Sequence, residues 1–153
     1  MRRYDVPGGK TIEIEHIVLD LNGTLSDHGS LIDGVVERVS HLAADLELHL
    51  LTADTLGTAQ RLGAELSVAV TAISAGSEKA DIVRGLGPSR TIAIGNGRND
   101  EAMLRLAVLG IAVLGREGAA TSAVLAADIV CVSILDALDL LIDERALAST
   151  LRP

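Results

Sequence analysis

Four short segments of the chain carry side chains suited to phosphoryl chemistry: Asp20-Leu21-Asn22-Gly23-Thr24-Leu25, Thr52-Ala53-Asp54, Ser77-Glu78-Lys79 and Gly95-Asn96-Gly97-Arg98-Asn99-Asp100. Together they offer carboxylates, hydroxyls, amides, one ammonium and turns loosened by glycine. A carboxylate held at a strand end beside a Gly turn can attack an incoming phosphoryl group and form an aspartyl phosphate. An anion approaching a phosphate dianion is repelled. Such chemistry therefore needs a fixed cation, N–H groups on the phosphoryl oxygens and a hard divalent ion on oxygen ligands.

These segments are spaced by elements that can position them. Past residue 16, short apolar β-branched runs alternate with longer runs of helical period, the pattern of βα units on a parallel sheet. The runs predict strands at 16–21, 46–51, 68–73, 91–95, 110–114 and 128–132. Helices are predicted at 33–46, 55–65, 77–86, 99–107 and 119–126. One last helix is predicted over about 134–151, with Leu135, Leu138, Leu141, Ile142 and Leu147 on one face. Residues 4–6 and 11–14, joined by Pro7-Gly8-Gly9-Lys10, predict a leading hairpin. The expected fold is a three-layer α/β/α, Rossmann-like single domain with a central, mainly parallel sheet. In it, residues 1–15 are an N-terminal β-hairpin addition and 16–153 the core. In open parallel sheets ligands lie beyond the C-terminal strand ends where strand order reverses. The chemistry-bearing segments follow strands or open a helix, as that rule requires.

On these residues the chain resembles the haloacid dehalogenase (HAD)-like hydrolase superfamily, in particular the soluble, capless relatives of the P-type ATPase phosphorylation domain. The family pattern runs from D-x-D-G-T, or D-K-T-G-T in the ATPases, through a Ser/Thr after the second strand and a Lys, to G-D-G-x-N-D. Here the counterparts are DLNGTL at 20–25, LLTAD at 50–54, Lys79 and GNGRND at 95–100, so the resemblance covers about residues 16–132. It implies Asp20 as nucleophile and Lys79 as the fixed cation. It also implies a phosphate cradle of the Thr52 hydroxyl and the neighbouring N–H groups of Ala53, Gly23 and Thr24. The implied cofactor is Mg²⁺, on Asp20, the Asn22 carbonyl, Asn96, and Asp100 directly or through water. The implied activity is a phosphatase- or ATPase-type phosphohydrolase acting on a small phosphorylated substrate or nucleotide.

Two positions depart from the phosphatase pattern, each by carboxylate to amide. Asn22 stands where family phosphatases carry the Asp that protonates the leaving group and later activates water. Loss of such a group typically costs about 10²–10⁴ in rate, so slow turnover is expected. Asn96 replaces the principal metal carboxylate with a neutral oxygen donor, which weakens Mg²⁺ binding. A catalytically impaired phosphoryl-binding or regulatory module is thus the alternative. About 26 residues separate Leu25 from Thr52, and about 26 separate Thr52 from Lys79, too few for a cap domain in either gap. The open site points to a large substrate, poor selectivity or cover by another subunit, the last making a metabolite phosphatase. The leading hairpin is then the candidate interface element of a homo-oligomer.

Composition excludes other classes. The 153 residues carry a formal net charge of −8, and no Lys/Arg cluster exceeds Arg2-Arg3, which disfavours nucleic acid and anionic membrane surfaces. No uncharged run reaches the length of a spanning helix, so a cytoplasmic protein is expected. With no Trp or Phe and a single Tyr near the N-terminus, the core is expected to be aliphatic. Cys131, alone in an apolar run, reads as a core residue. Gly95-x-Gly97 is not a dinucleotide fingerprint, because Asp100 stands where a third Gly belongs. His28, Asp54, Arg98 and Arg116 are weaker candidates for touching substrate. His16, His41 and His49 show no metal-like spacing and are read as structural.

Overall fold

The computed structural model describes residues 1–53 and 57–153. Its strands are β1 (Arg2–Asp5), β2 (Thr11–Ile14), β3 (His16–Asp20), β4 (Ser26–Asp27), β5 (Ser30–Leu31), β6 (Glu47–Thr52), β7 (Val70–Ala72), β8 (Thr91–Gly95), β9 (Leu109–Val113) and β10 (Ile129–Cys131). Its helices are α1 (Val35–Ala43), α2 (Gly57–Leu66), α3 (Gly76–Leu86), α4 (Glu101–Leu106), α5 (Thr121–Ala126), α6 (Ile134–Ile142) and α7 (Glu144–Thr150). Six strands form one parallel sheet in the order β10-β9-β8-β3-β6-β7. The chain enters at β3, moves outward through β6 and β7, then returns to β8 on the other side of β3. Strand order therefore reverses between β3 and β8, and the C-terminal ends of these two strands flank the crevice where ligands bind in such sheets.

Side chains alternating along each strand serve two cores. Ile17, Leu19, Leu48, Leu50, Ile92 and Ile94 face one layer with α1, α2, α6 and α7. Val18, Leu51 and Ala93 face the other, packed by Val83 of α3, Met103 and Leu104 of α4 and Ala123 of α5. The three-layer α/β/α expectation thus holds. Cys131 is buried, and burial pushes its thiol pKa up. Among the described residues, no helix is long and apolar enough to cross a membrane.

Four local expectations are corrected. Tyr4 is no peripheral ring: it is fully buried in the larger core and donates its hydroxyl to the Leu141 carbonyl at 2.9 Å. The hairpin ladder ends at Asp5 paired with Thr11, because Pro7 offers no N–H to continue it. The last helix is two helices. Asp143 leaves helical geometry (φ −90°, ψ 92°) and its carboxylate accepts from the N–H groups of Arg145 and Ala146, starting α7 afresh. The helix predicted over 99–107 begins as a 3₁₀ turn, Arg98–Asp100. A second hairpin, β4 with β5, projects just after Asp20. Its loop residues His28 and Gly29 both have positive φ, 49° and 78°, as a two-residue hairpin turn demands.

Candidate active site

Asp20 is the last residue of β3, with Thr24 one tight turn further on. Lys79 lies in the first turn of α3, whose start is braced by Glu78 accepting from the N–H groups of Ser74 and Ala75. Asp100 lies in the loop after β8. Sheet order brings these three elements together. The Lys79 ammonium bridges the carboxylates, 2.7 Å from Asp20 Oδ1 and 2.5 Å from Asp100 Oδ1. Lys79 and Asp100 have no solvent exposure and Asp20 only 6%. Thr24 Oγ1 donates to Asp20 Oδ2 at 3.2 Å and stands 3.4 Å from Asn96 Oδ1.

The electrostatics follow from this burial. Two carboxylates face one ammonium, leaving an excess of negative charge in a low-dielectric pocket. Burial first, and the Asp100 carboxylate second, push the Asp20 pKa up to about 6 against the pull of Lys79. Burial presses the Lys79 pKa down, but Asp20 and Asp100 outweigh it and the net shift is upward, so Lys79 is a cation throughout the neutral range. A carboxylate so perturbed at a strand end makes Asp20 a candidate reactive group.

The oxygen donors fit a hard divalent cation. Asn96 is turned by a bond from its Nδ2 to the Gly118 carbonyl at 3.2 Å, which aims Oδ1 toward Thr24 and Asp20. The carboxylate of Asp20 and the amide oxygen of Asn96 thus flank one hydroxyl, and the negative excess of the cluster suits a dication. Asp100 is different. Its Oδ1 holds Lys79 and its Oδ2 accepts from the N–H groups of Asn96 and Gly97 at 2.9 and 2.8 Å. Direct ligation of an ion would break these bonds, which hold Lys79 and the loop in place. Gly95 permits this, since a Cβ there would lie 2.5 Å from the Asp100 carboxyl carbon.

Thr52 ends β6 and its hydroxyl accepts from Asn22 Nδ2 at 3.0 Å, with Ala53 next in the chain. The Asn22 side chain is exposed beside it. Gly23 has φ +75°, but its N–H donates to the Ser26 carbonyl at 3.1 Å. That bond occupies the Gly23 N–H expected in the cradle. Of the weaker candidates, Arg116 pairs with Asp27 at 3.2 Å at the rim of the adjoining cleft. His28 tops the β4–β5 hairpin, 2.6 Å from Asp27. Arg98 lines a separate cleft with Arg84 and Arg105. Asp54 lies outside the described residues. Sequence reasoning misses Glu117. It follows β9, and a Cβ on Gly23 would collide with its carboxylate, so a further acidic group borders the site. Nothing local signals it, because only the sheet order joins the loop after β9 to the loop after β3. The histidines also depart from expectation: His16 and His49, 33 residues apart, come within 3.3 Å of each other. Burial, then His16, press the His49 pKa down.

No family model matches the chain. The uncharacterized protein MJ0073 of Methanocaldococcus jannaschii is 54% identical over 63 residues, which are 41% of this chain and 68% of that protein. Among solved structures, the cobalt-bound form of the deoxy-D-mannose-octulosonate 8-phosphate phosphatase YrbI of Haemophilus influenzae has a TM-score of 0.71 at 16% identity. The match covers 92% of this chain and 94% of that one. The 3-deoxy-D-manno-octulosonate 8-phosphate phosphatase of Moraxella catarrhalis, in complex with magnesium, phosphate and KDO, has a TM-score of 0.67 at 16% identity over 91% and 94%. A zinc-transporting PIB-type ATPase has a TM-score of 0.66 at 23% identity, over 78% of this chain and 20% of the transporter. At these identities the likeness is one of fold.

Proposed function

Because the chain belongs to the family of MJ0073 and carries the fold of the HAD-like hydrolases, we propose that it is a divalent-metal-dependent phosphohydrolase in which Asp20 accepts the phosphoryl group. The observation that carries this reading is the buried Asp20–Lys79–Asp100 cluster at the C-terminal edge of β3 and β8. One Asp20 oxygen attacks phosphorus, and the bond to the leaving-group oxygen breaks. The Lys79 ammonium stays charged and collects the negative charge that builds on the phosphoryl oxygens. Thr52, with the N–H groups of Ala53 and Thr24, orients those oxygens. Asp20, the Asn22 carbonyl and Asn96 would hold a Mg²⁺ ion, which would supply charge neutralisation. Asn22 carries no ionisable proton. The leaving oxygen therefore takes its proton from water, and water attacks the aspartyl phosphate without a protein base, so turnover is slow.

Substrate class is read from the cleft that Gly23 and Thr24 border, about 640 Å³, between the β4–β5 hairpin and the start of α6. Leu31, Ile32, Ile134 and Leu135 give it an apolar wall, with Arg116 at the rim. The single tyrosine, Tyr4, is sealed in the core, and the chain has no Trp or Phe to stack on a base. These features favour a small phosphomonoester with a non-aromatic leaving group over a nucleotide. The two phosphatase neighbours, whose names specify a small phosphorylated substrate, support the same class. The test is hydrolysis of p-nitrophenyl phosphate with and without Mg²⁺ by the wild type and Asp20→Asn. Slow Mg²⁺-dependent turnover lost in the variant is expected. Phosphate binding without turnover in the wild type would favour the phosphoryl-binding module instead.

A further inference from the structure

We propose that His16, Glu47 and His49 form a second metal site, for a borderline divalent cation of the Zn²⁺ class, at the end of the sheet opposite Asp20. β3 and β6 are parallel neighbours, registered His16 with Glu47 and Val18 with His49. Alternation puts all three side chains on the face of Val18 and Leu51, at the N-terminal strand ends. His49 Nε2 stands 3.3 Å from His16 Nδ1, and His16 Nδ1 stands 3.2 Å from Glu47 Oε2. The three ligand atoms all lie within 4.8 Å of one another. Ligand atoms of a tetrahedral zinc ion with bonds of about 2.05 Å lie about 3.3 Å apart, the separation that His16 Nδ1 keeps from both partners without rearrangement.

The hydrogen-bond inventory points the same way. One His16 nitrogen faces both an imidazole nitrogen and a carboxylate, and with a single proton at most it serves one of them well. A cation among the three takes one lone pair from each ligand atom. The other His16 nitrogen, Nε2, lies 3.9 Å from Glu15 Oε2, the side from which a carboxylate commonly braces a metal-bound imidazole. His16 is 14% exposed and Glu47 74%, so an ion can enter from solvent, and a water can complete the tetrahedron. Two imidazoles and one carboxylate select Zn²⁺, Co²⁺ or Ni²⁺ over Mg²⁺. Asp20 lies four residue steps along β3 from His16, about 13 Å, so the site is distinct from the phosphoryl centre. It clips β3 to its neighbour β6.

The test is Co²⁺ titration of the full chain followed by visible absorbance, in about 10 mM Mg²⁺ to occupy the hard oxygen site. One Co²⁺ per chain with the intense bands of tetrahedral coordination is expected, displaced by Zn²⁺. His49→Gln should abolish the bands. Glu47→Gln, at an exposed position, should weaken affinity by about tenfold or more. Zn²⁺ at about a hundredfold above its Kd should raise the wild-type Tm by several degrees and leave the Tm of His49→Gln unmoved. Only weak octahedral absorbance, or the same spectrum and affinity in wild type and Glu47→Gln, would overturn the assignment.

Discussion

Asn22→Asp places a carboxyl group where the proposed mechanism lacks its acid/base, and the structure bounds its effect. The side chains are isosteric, and the Asn22 amide already reaches the Thr52 hydroxyl at 3.0 Å. The introduced carboxylate would accept from that hydroxyl and stay in place. A positioned acid/base contributes about 10²–10⁴ in rate, or about 2.7–5.5 kcal/mol of barrier. Because Asn22 is exposed, the new group would keep an ordinary carboxyl pKa near about 3.9. At pH 7 it is therefore a better base than acid. The gain belongs at the low end, about 10²-fold, and falls mainly on hydrolysis of the phosphoenzyme. Rapid-quench kinetics with p-nitrophenyl phosphate separate the steps: the wild type should show a burst followed by slow turnover, and the variant a faster steady state with little burst. An alkyl phosphate, whose departure needs an acid that an ionised carboxylate cannot supply at pH 7, should gain a smaller factor. A steady-state rate within about twofold of wild type on both substrates, in a variant with unchanged circular dichroism, would refute the acid/base assignment.

Three further outcomes follow from the buried cluster. The Asp20 pKa is raised to about 6 from about 3.9 in the unfolded chain, so the folded state binds that proton more tightly. Metal-free stability should then fall as pH rises from about 4 to about 6. Asp20→Asn escapes this penalty and should melt about 2–4 °C higher at pH 7.5 in EDTA, the difference vanishing below about pH 4. Calorimetry across that range checks it, and a pH-independent difference counts against it. Lys79→Met leaves two buried carboxylates facing each other and should cost about 3–5 kcal/mol in urea unfolding. Adding Asp20→Asn to Lys79→Met should recover more stability than Asp20→Asn adds to the wild type, the excess that independent sites do not show.

Much of the site is legible in the sequence because open α/β sheets confine chemistry to strand ends. Asp20, Thr52 and Asn96 sit directly at those ends, and Lys79 and Asp100 reach them from the adjoining helix and loop. What stays hidden is non-local or masked by a competing pattern. The meeting of His16 with His49 depends on β3–β6 register, to which the spacing along the chain gives no clue. Glu117 reaches Gly23 only through sheet order. The Asp143 cap is obscured because apolar periodicity runs on from Leu141 to Leu147 across the break. Tyr4 reads as peripheral from its nearness to the N-terminus, whereas the hairpin inserts it beneath α6 and α7. The Gly23 N–H reads as a phosphate donor because its short-range bond to Ser26 has no signature in the sequence.

The covalent role of Asp20 is tested most directly by quenching the enzyme in acid during turnover with Mg²⁺ and a phosphomonoester, then measuring intact mass and mapping the adduct. One added phosphoryl group on Asp20 is expected, labile to hydroxylamine, accumulating in the wild type and absent from Asp20→Asn. An adduct that persists in Asp20→Asn, or steady turnover with none at all, would contradict it.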